Sequence, residues 1–249
     1  MEVHTHSHTP RKKWMHYFWE FFMLFLAVTL GFFVENTREH RIEHKREREY
    51  ILSMIDDLKE DTSNFRFVIS KNKKSAVEID TLITLLKGEQ TNALAKRIYY
   101  TARLLPISDV ELVCQDKTFE QLKGSGSIRL IRKQETQNKI GAYYRIVNFI
   151  RTGPSQMQFQ NRRDLFLSYN KVFDAATLQE IIKTFQDSSV NIPESHFSLL
   201  TKDPVIINEI CTRFHLIYSF KKVVSSEAGG FIKDAAALIG YLKKEYHLE

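Results

Sequence analysis

Residues 51–86 read ILSMIDDLKEDTSNFRFVISKNKKSAVEIDTLITLL. Ile51, Ile55, Leu58, Thr62, Phe65, Ile69, Asn72, Ala76, Ile79, Ile83 and Leu86 recur at steps that alternate four and three, and nine of these eleven positions are apolar. That period draws one apolar stripe along an α-helix. Two arrangements satisfy such a stripe: packing against helices of the same chain, or a dimeric coiled coil. The helices expected downstream need a surface to bury against, which favours the bundle. Lys87 and Gly88 end the run with a basic last turn and a C-terminal glycine.

Immediately upstream, residues 35–50 read ENTREHRIEHKREREY and are almost wholly charged. Glu35 with Arg38, Glu43 with Arg46, and Lys45 with Glu49 fall at helix-neighbour spacing. A solvated helix laced with ion pairs is expected there. His40, Glu43 and His44 match an H-x-x-E-H metal pattern. A charged run offers no dry cleft and no third ligand is identifiable, so the match is read as coincidence.

Before that run lies WMHYFWEFFMLFLAVTLGFFV, residues 14–34. As a helix it is roughly 31 Å long, enough to cross a hydrocarbon core. Trp14, Tyr17 and Trp19 gather at one end, as interfacial anchors do. A cleaved signal peptide and a buried core helix compete with this reading. No small-x-small cleavage site follows the run. His16, Glu20, Leu24, Ala27 and Gly31 share one helix face. Ala27 and Gly31 form a small-xxx-small pair that lets membrane helices approach closely. Glu20 is either at the headgroup edge reaching water, in a helix-association contact, or on an ion pathway. Glu20, Ala27 and Gly31 are therefore the candidate site residues, for helix association in the membrane.

Residues 1–13 form a polar tail in which His4, His6 and His8 alternate, followed by Arg11, Lys12 and Lys13. A disordered tail is the plainer reading than a weak metal site. Three basic residues precede the span and five follow it within about 15 residues, Arg38, Arg41, Lys45, Arg46 and Arg48. That count alone favours the C-terminal part inside. The five acids interspersed among them, and the basic triplet set directly against the span, favour a signal anchor with the domain outside the inner membrane.

The chain has 249 residues, with 9 Gly and 5 Pro, which suits long helices with few turns. A net charge of +6, mixed along the chain, does not make the concentrated basic face of a nucleic-acid binder. Cys114 and Cys211 are too few for a disulfide framework, and both a pair and two buried thiols remain open.

Downstream, a helix is expected from Thr91 to Leu105, ending at Pro106. A capping box at Thr118 and Gln121 opens a short helix. Gly124-Ser-Gly126-Ser then reads as its C-cap and turn, since neither a Walker loop nor a dinucleotide fingerprint surrounds it. Residues 134–151 follow with Ile140, Tyr143, Tyr144, Val147 and Ile150 inward, broken by Gly153 and Pro154. Helices near 156–173 and 175–186 come next, the second capped by Asp174. Asp203 and Pro204 start a last helix that Gly229 and Gly230 kink or interrupt. No alternation is long enough for a sheet. The fold class is therefore all-α: an N-terminal transmembrane helix continuing into a long helix that packs in a helical bundle. Its parts are a polar tail (1–13), the membrane helix (14–34), a charged juxtamembrane helix (35–50) and the bundle (51–249).

Several stretches carry a resemblance. EFFMLFLAVTLGFFVEN at 20–36 runs into Arg38-Glu39-His40, REREY at 46–50 and MIDDLKED at 54–61. TFEQLKGSGSIRLI at 118–131 follows, with Tyr143 and Tyr144 behind it. Together they resemble a family of uncharacterised single-pass membrane proteins common in Bacteroidota, a domain of unknown function. In that family a Glu precedes the apolar run, and a Leu-Lys-x-Ser-Gly turn and a Tyr-Tyr pair come later. Gly124 stands here where Ser is usual. The resemblance covers residues 14–150 and implies an inner-membrane anchor with a helical domain. It implies no activity and no catalytic residues.

No nucleophile with its base, no ligand set and no cofactor fingerprint emerges, so no cofactor is expected and an enzyme would need an unrecognised site. The expected function is a membrane-anchored interaction, sensory or scaffold module. The bilayer, a second copy of the chain or another membrane protein are its expected partners, with no nucleic acid among them. The alternative is an accessory subunit of an ion-coupled membrane complex using Glu20.

Overall fold

The computed structural model describes residues 14–89, 91–106, 110–187 and 189–248. His4, His6 and His8, and the basic triplet at 11–13, lie outside the described residues. The order is α1 (Trp14–Lys87), α2 (Asn92–Leu104), α3 (Lys117–Gly124), α4 (Gln134–Thr152), α5 (Pro154–Tyr169), α6 (Ala175–Gln186) and α7 (Pro204–Glu245). Single 3-10 turns occupy Ser127–Leu130 and Glu194–His196. No strand occurs among the described residues, so the fold is all-α. The chain divides into two units, residues 1–50 and 51–249.

In the first unit, α1 carries a window apolar and long enough to cross a membrane, and none of that window is buried among the described residues. The run is therefore not a core helix. Its charged continuation pairs along its own surface. Arg38 Nη2 lies 2.6 Å from Glu35 Oε1, and Lys45 Nζ 3.9 Å from Glu49 Oε1. Glu43 sits 3.8 Å from His40 Nδ1, where pairing with Arg46 was the expectation.

In the second unit every position of the expected stripe is buried or half-buried, and helices of the same chain cover it. The centre of burial is offset, however. Met54, Asp61, Val68, Ser75 and Leu82 are each at most 5% exposed, while Thr62, Ile69 and Ile83 are only partly covered. Leu58, Phe65, Asn72, Ile79 and Leu86 belong to both registers. The offset register escapes the pattern because Asp61 and Ser75 are polar.

One apolar cluster gathers Ile79, Leu82, Ile98, Tyr99, Leu165, Phe173 and Phe214. A second gathers Phe65, Val68, Leu112, Val224 and Ala228. Local signals set the helix ends. Asp174 Oδ1 accepts from Thr177 N–H at 2.8 Å, and Asp203 Oδ1 from Val205 N–H at 2.8 Å. These are side-chain N-caps, the second with Pro at the first helical position. Gly153 separates α4 from α5 as expected. Gly229 and Gly230 do not interrupt α7. Phe231, partly buried beside them, meets Phe65 at 6.0 Å, and this packing offsets the weak helix propensity of the glycine pair.

Tyr99 ties three elements together. Its ring meets Phe173 at 5.1 Å and Phe197 at 5.8 Å. Its hydroxyl donates to Ser198 O at 2.8 Å and accepts from Asp174 N–H at 2.7 Å. Tyr99→Phe keeps the ring but leaves both backbone groups without it. Chemical denaturation of the purified chain is expected to show a loss of about 1–3 kcal/mol.

Candidate functional site

Asp57 and Asp61 stand one turn apart on α1, and both are buried, Asp61 completely. Residues 110–116 cross over them without regular structure on the way to α3. Gln115 N–H donates to Asp61 Oδ1 at 2.6 Å, and Gln115 Nε2 to Glu60 Oε1 at 2.7 Å. Thr118 N–H donates to Asp57 Oδ2 at 3.2 Å, and Lys117 Nζ lies 3.3 Å from Asp57 Oδ1. From α4, the Tyr143 hydroxyl donates to Asp61 Oδ2 at 2.7 Å. Tyr144 stacks on Phe119 of α3, with centroids 4.2 Å apart and planes 4° apart, and meets Tyr143 edge-on at 5.4 Å.

This geometry corrects the expected capping box. Thr118 is not the cap of α3. The helix begins one residue earlier, at Lys117, and the preceding Asp116 makes no side-chain cap bond. Asp57, sixty-one positions away, accepts the Thr118 N–H instead. An anion at a helix N-terminus satisfies the unpaired donors and opposes the helix dipole. The cap is thus supplied by another helix, which a local motif cannot reveal. The turn expected at 124–127 is present, with Gly126 at φ +67°, in the left-handed region that favours glycine.

Burial is the main force on the protons here. It pushes the Asp61 carboxyl up to about 6, against the Gln115 and Tyr143 hydrogen bonds that pull it down; the charges of Asp57 and Glu60 add to the rise. Burial raises the phenols of Tyr143 and Tyr144 well above their ordinary range. The Tyr144 hydroxyl is buried with no hydrogen-bond partner among the described residues. Neither phenol is a phenolate nucleophile near neutral pH. The cluster can bind a proton and can fasten α1, α3, α4 and the 110–116 segment to one another.

Asp57 and Asp61 of α1, Thr118 and Phe119 at the start of α3, and Tyr143 and Tyr144 of α4 meet at this cluster. The sequence reading missed Asp57 and Asp61 as site residues. Their signal was available: Asp61 falls between Leu58 and Phe65 in the apolar register.

The candidates from the sequence lie in the first unit. Glu20 Oε1 is 3.3 Å from His16 Nε2, one turn away on the shared face. Ala27 and Gly31 are exposed, and a methyl group built on Gly31 meets nothing within 4 Å. His44 Nδ1 contacts Glu47 at 3.3 Å along the same helix. Among the described residues no cluster of three or more His, Cys, Asp or Glu is placed to hold a metal ion. Neither Cys114 nor Cys211 forms a disulfide among the described residues, and burial raises the Cys211 thiol.

Asp61 gives a pH dependence with a definite sign. Folded, it takes up a proton near pH 6; unfolded, near its ordinary value of 3.8. Its contribution to stability is present in full below that ordinary value and is lost as pH rises through 6. Asp61→Asn keeps an acceptor for Gln115 and offers Tyr143 an N–H. The stability difference between wild type and Asp61→Asn, from urea melts at pH 4.5 and 7.5, is expected to favour wild type more at the lower pH. Tyr143→Phe is expected to cost about 1–3 kcal/mol by leaving Asp61 short of a donor.

No family model, curated protein or solved structure matches the chain.

Proposed function

We propose that the chain is a single-pass, membrane-anchored helical module that works by protein contact. Residues 14–34 lie in the bilayer, and residues 51–249 form a helical bundle outside the inner membrane. The observation that carries this reading is the apolar window of α1, none of which is buried among the described residues. In water such a surface is unfavourable; in lipid it is matched. Trp14, Tyr17 and Trp19 at one end suit an interface. The resemblance to single-pass proteins supports the same layout.

The face bearing Glu20, Ala27 and Gly31 is the contact surface for a second copy or another membrane protein. The small residues admit a close backbone approach, and Glu20 with His16 supplies polar atoms that gain most when covered by a partner. Buried polar work in the bundle, by contrast, is internal: Asp57 and Asp61 hold its helices together.

Two measurements test this. The first uses a cysteine placed at position 249, with Cys114→Ser and Cys211→Ala in the background. It should react with a membrane-impermeant maleimide in spheroplasts. Labelling only after the inner membrane is permeabilised would reverse the assigned orientation. In the second, Glu20→Gln and Gly31→Ile should both insert normally and weaken self-association about threefold or more, read by energy transfer in vesicles. Unchanged association in both variants removes this face from the function.

A further inference from the structure

A polar seam separates the two apolar clusters described above. Along α1, Asn72 and Ser75 come between Val68 and Ile79; along α7, Lys221 comes between Phe214 and Val224. All three are buried, Lys221 to 4% exposure. Its ammonium donates to Asn72 Oδ1 at 3.4 Å. Phe214, Val224 and Ala228 share its helix face and are all core residues. The pattern therefore calls for an apolar residue at 221, and a buried ammonium is costly in its place.

Lys221 and Asn72 also form the floor of a groove of about 440 Å³ between α1 and α7. Lys73 and Lys222 stand on its rim, and Lys222 Nζ is held 4.8 Å over the Tyr218 ring. Ile69, Ala76, Val77 and the Tyr218 ring supply apolar wall. Asn72 and Lys221 also line a narrow cleft of about 20 Å³, room for about one water. A groove of a few hundred cubic ångströms, apolar with a few convergent polar groups, has the make-up of a small-molecule site.

The charges select the ligand. Lys73, Lys221 and Lys222 line the groove at the level of Asn72, to which Lys221 donates, while Asp80 lies two helical turns from Lys73, roughly 10 Å along α1. An anion is drawn to the lysine end and kept from the other. The groove runs along interior turns of two helices, where backbone N–H groups are already bonded within the helix. A phosphate would lack the backbone donors that usually surround it. A carboxylate, with two oxygens, is satisfied by lysines alone. We propose that this groove binds a small amphipathic carboxylate, its anionic end on Lys221 between Lys73 and Lys222 and its apolar body against Val77 and Tyr218. The site stands whether or not the chain works by protein contact at the membrane.

The test uses the full chain in nanodiscs, titrated by calorimetry with 4-phenylbutyrate, 4-phenylbutan-1-ol and inorganic phosphate, with empty discs subtracted. The acid should bind saturably, one per chain, with the alcohol at least about tenfold weaker and phosphate weaker still. Lys221→Met should weaken the acid about tenfold or more without changing the helical circular dichroism. The double variant Lys73→Gln, Lys222→Gln changes only exposed side chains, so it reads the site even if Lys221→Met unfolds; it should weaken the acid about threefold. Absence of saturable binding overturns the proposal. So does equal affinity for acid and alcohol, phosphate bound as tightly as the acid, or full affinity in the double variant.

Discussion

Two carboxylates one turn apart, Asp57 and Asp61, are removed from water and supplied with donors from three other parts of the chain. A buried carboxylate is tolerated only where hydrogen bonds or charges replace its solvent. Here that requirement dictates where the chain goes. Gln115 and Thr118 must bring backbone N–H groups to the two acids, Lys117 must bring its amine, and Tyr143 its hydroxyl. Meeting all four fixes the path of residues 110–118 and the approach of α4. It also brings Phe119 against Tyr144. Hydrophobic burial drives collapse of this bundle, but it is non-directional. The acid cluster supplies direction.

The all-α class and most helix ends were legible because each rests on short-range chemistry. The alternating four-and-three spacing of the apolar residues from Ile51 to Leu86 needs no tertiary knowledge, and Asp174 and Asp203 cap the helices that directly follow them. What failed had long-range causes. The Thr118 capping box satisfied a local rule and lost to Asp57, which offers a charged acceptor from another helix. The Gly229-Gly230 break satisfied a propensity rule and lost to packing of Phe231 on Phe65. The stripe on α1 was read one register off-centre, because a polar residue in the most buried row looks like a solvent residue in sequence.

Lys221 and Asp61 illustrate the same blind spot from opposite charges. Each occupies a position whose helix neighbours are core residues. In sequence each reads as an interruption of an apolar pattern, and an interruption is easily taken for the edge of a stripe. In the fold, Asp61 is answered by donors from two segments, Gln115 and Tyr143, and Lys221 donates to Asn72 at the floor of a groove. By contrast, Glu20, Ala27 and Gly31 stand out in sequence, since in an apolar run any polar or small residue does; a methyl group on Gly31 meets nothing within 4 Å.

The borrowed cap of α3 also bears on synthesis. Asp57 emerges from the ribosome sixty-one residues before the amide it serves, and Asp61 precedes Tyr143 by eighty-two. Until those partners arrive, the distal half of α1 presents its apolar rows with no cover, and the two acids remain hydrated and charged. Contacts so distant in sequence are slow to close. During that interval the hydrated acids interrupt the apolar rows and counter adhesion between nascent chains, as gatekeeper charges do beside hydrophobic segments. The same side chains thus serve the chain twice, first as soluble charges on an unfinished helix and later as acceptors inside the finished one.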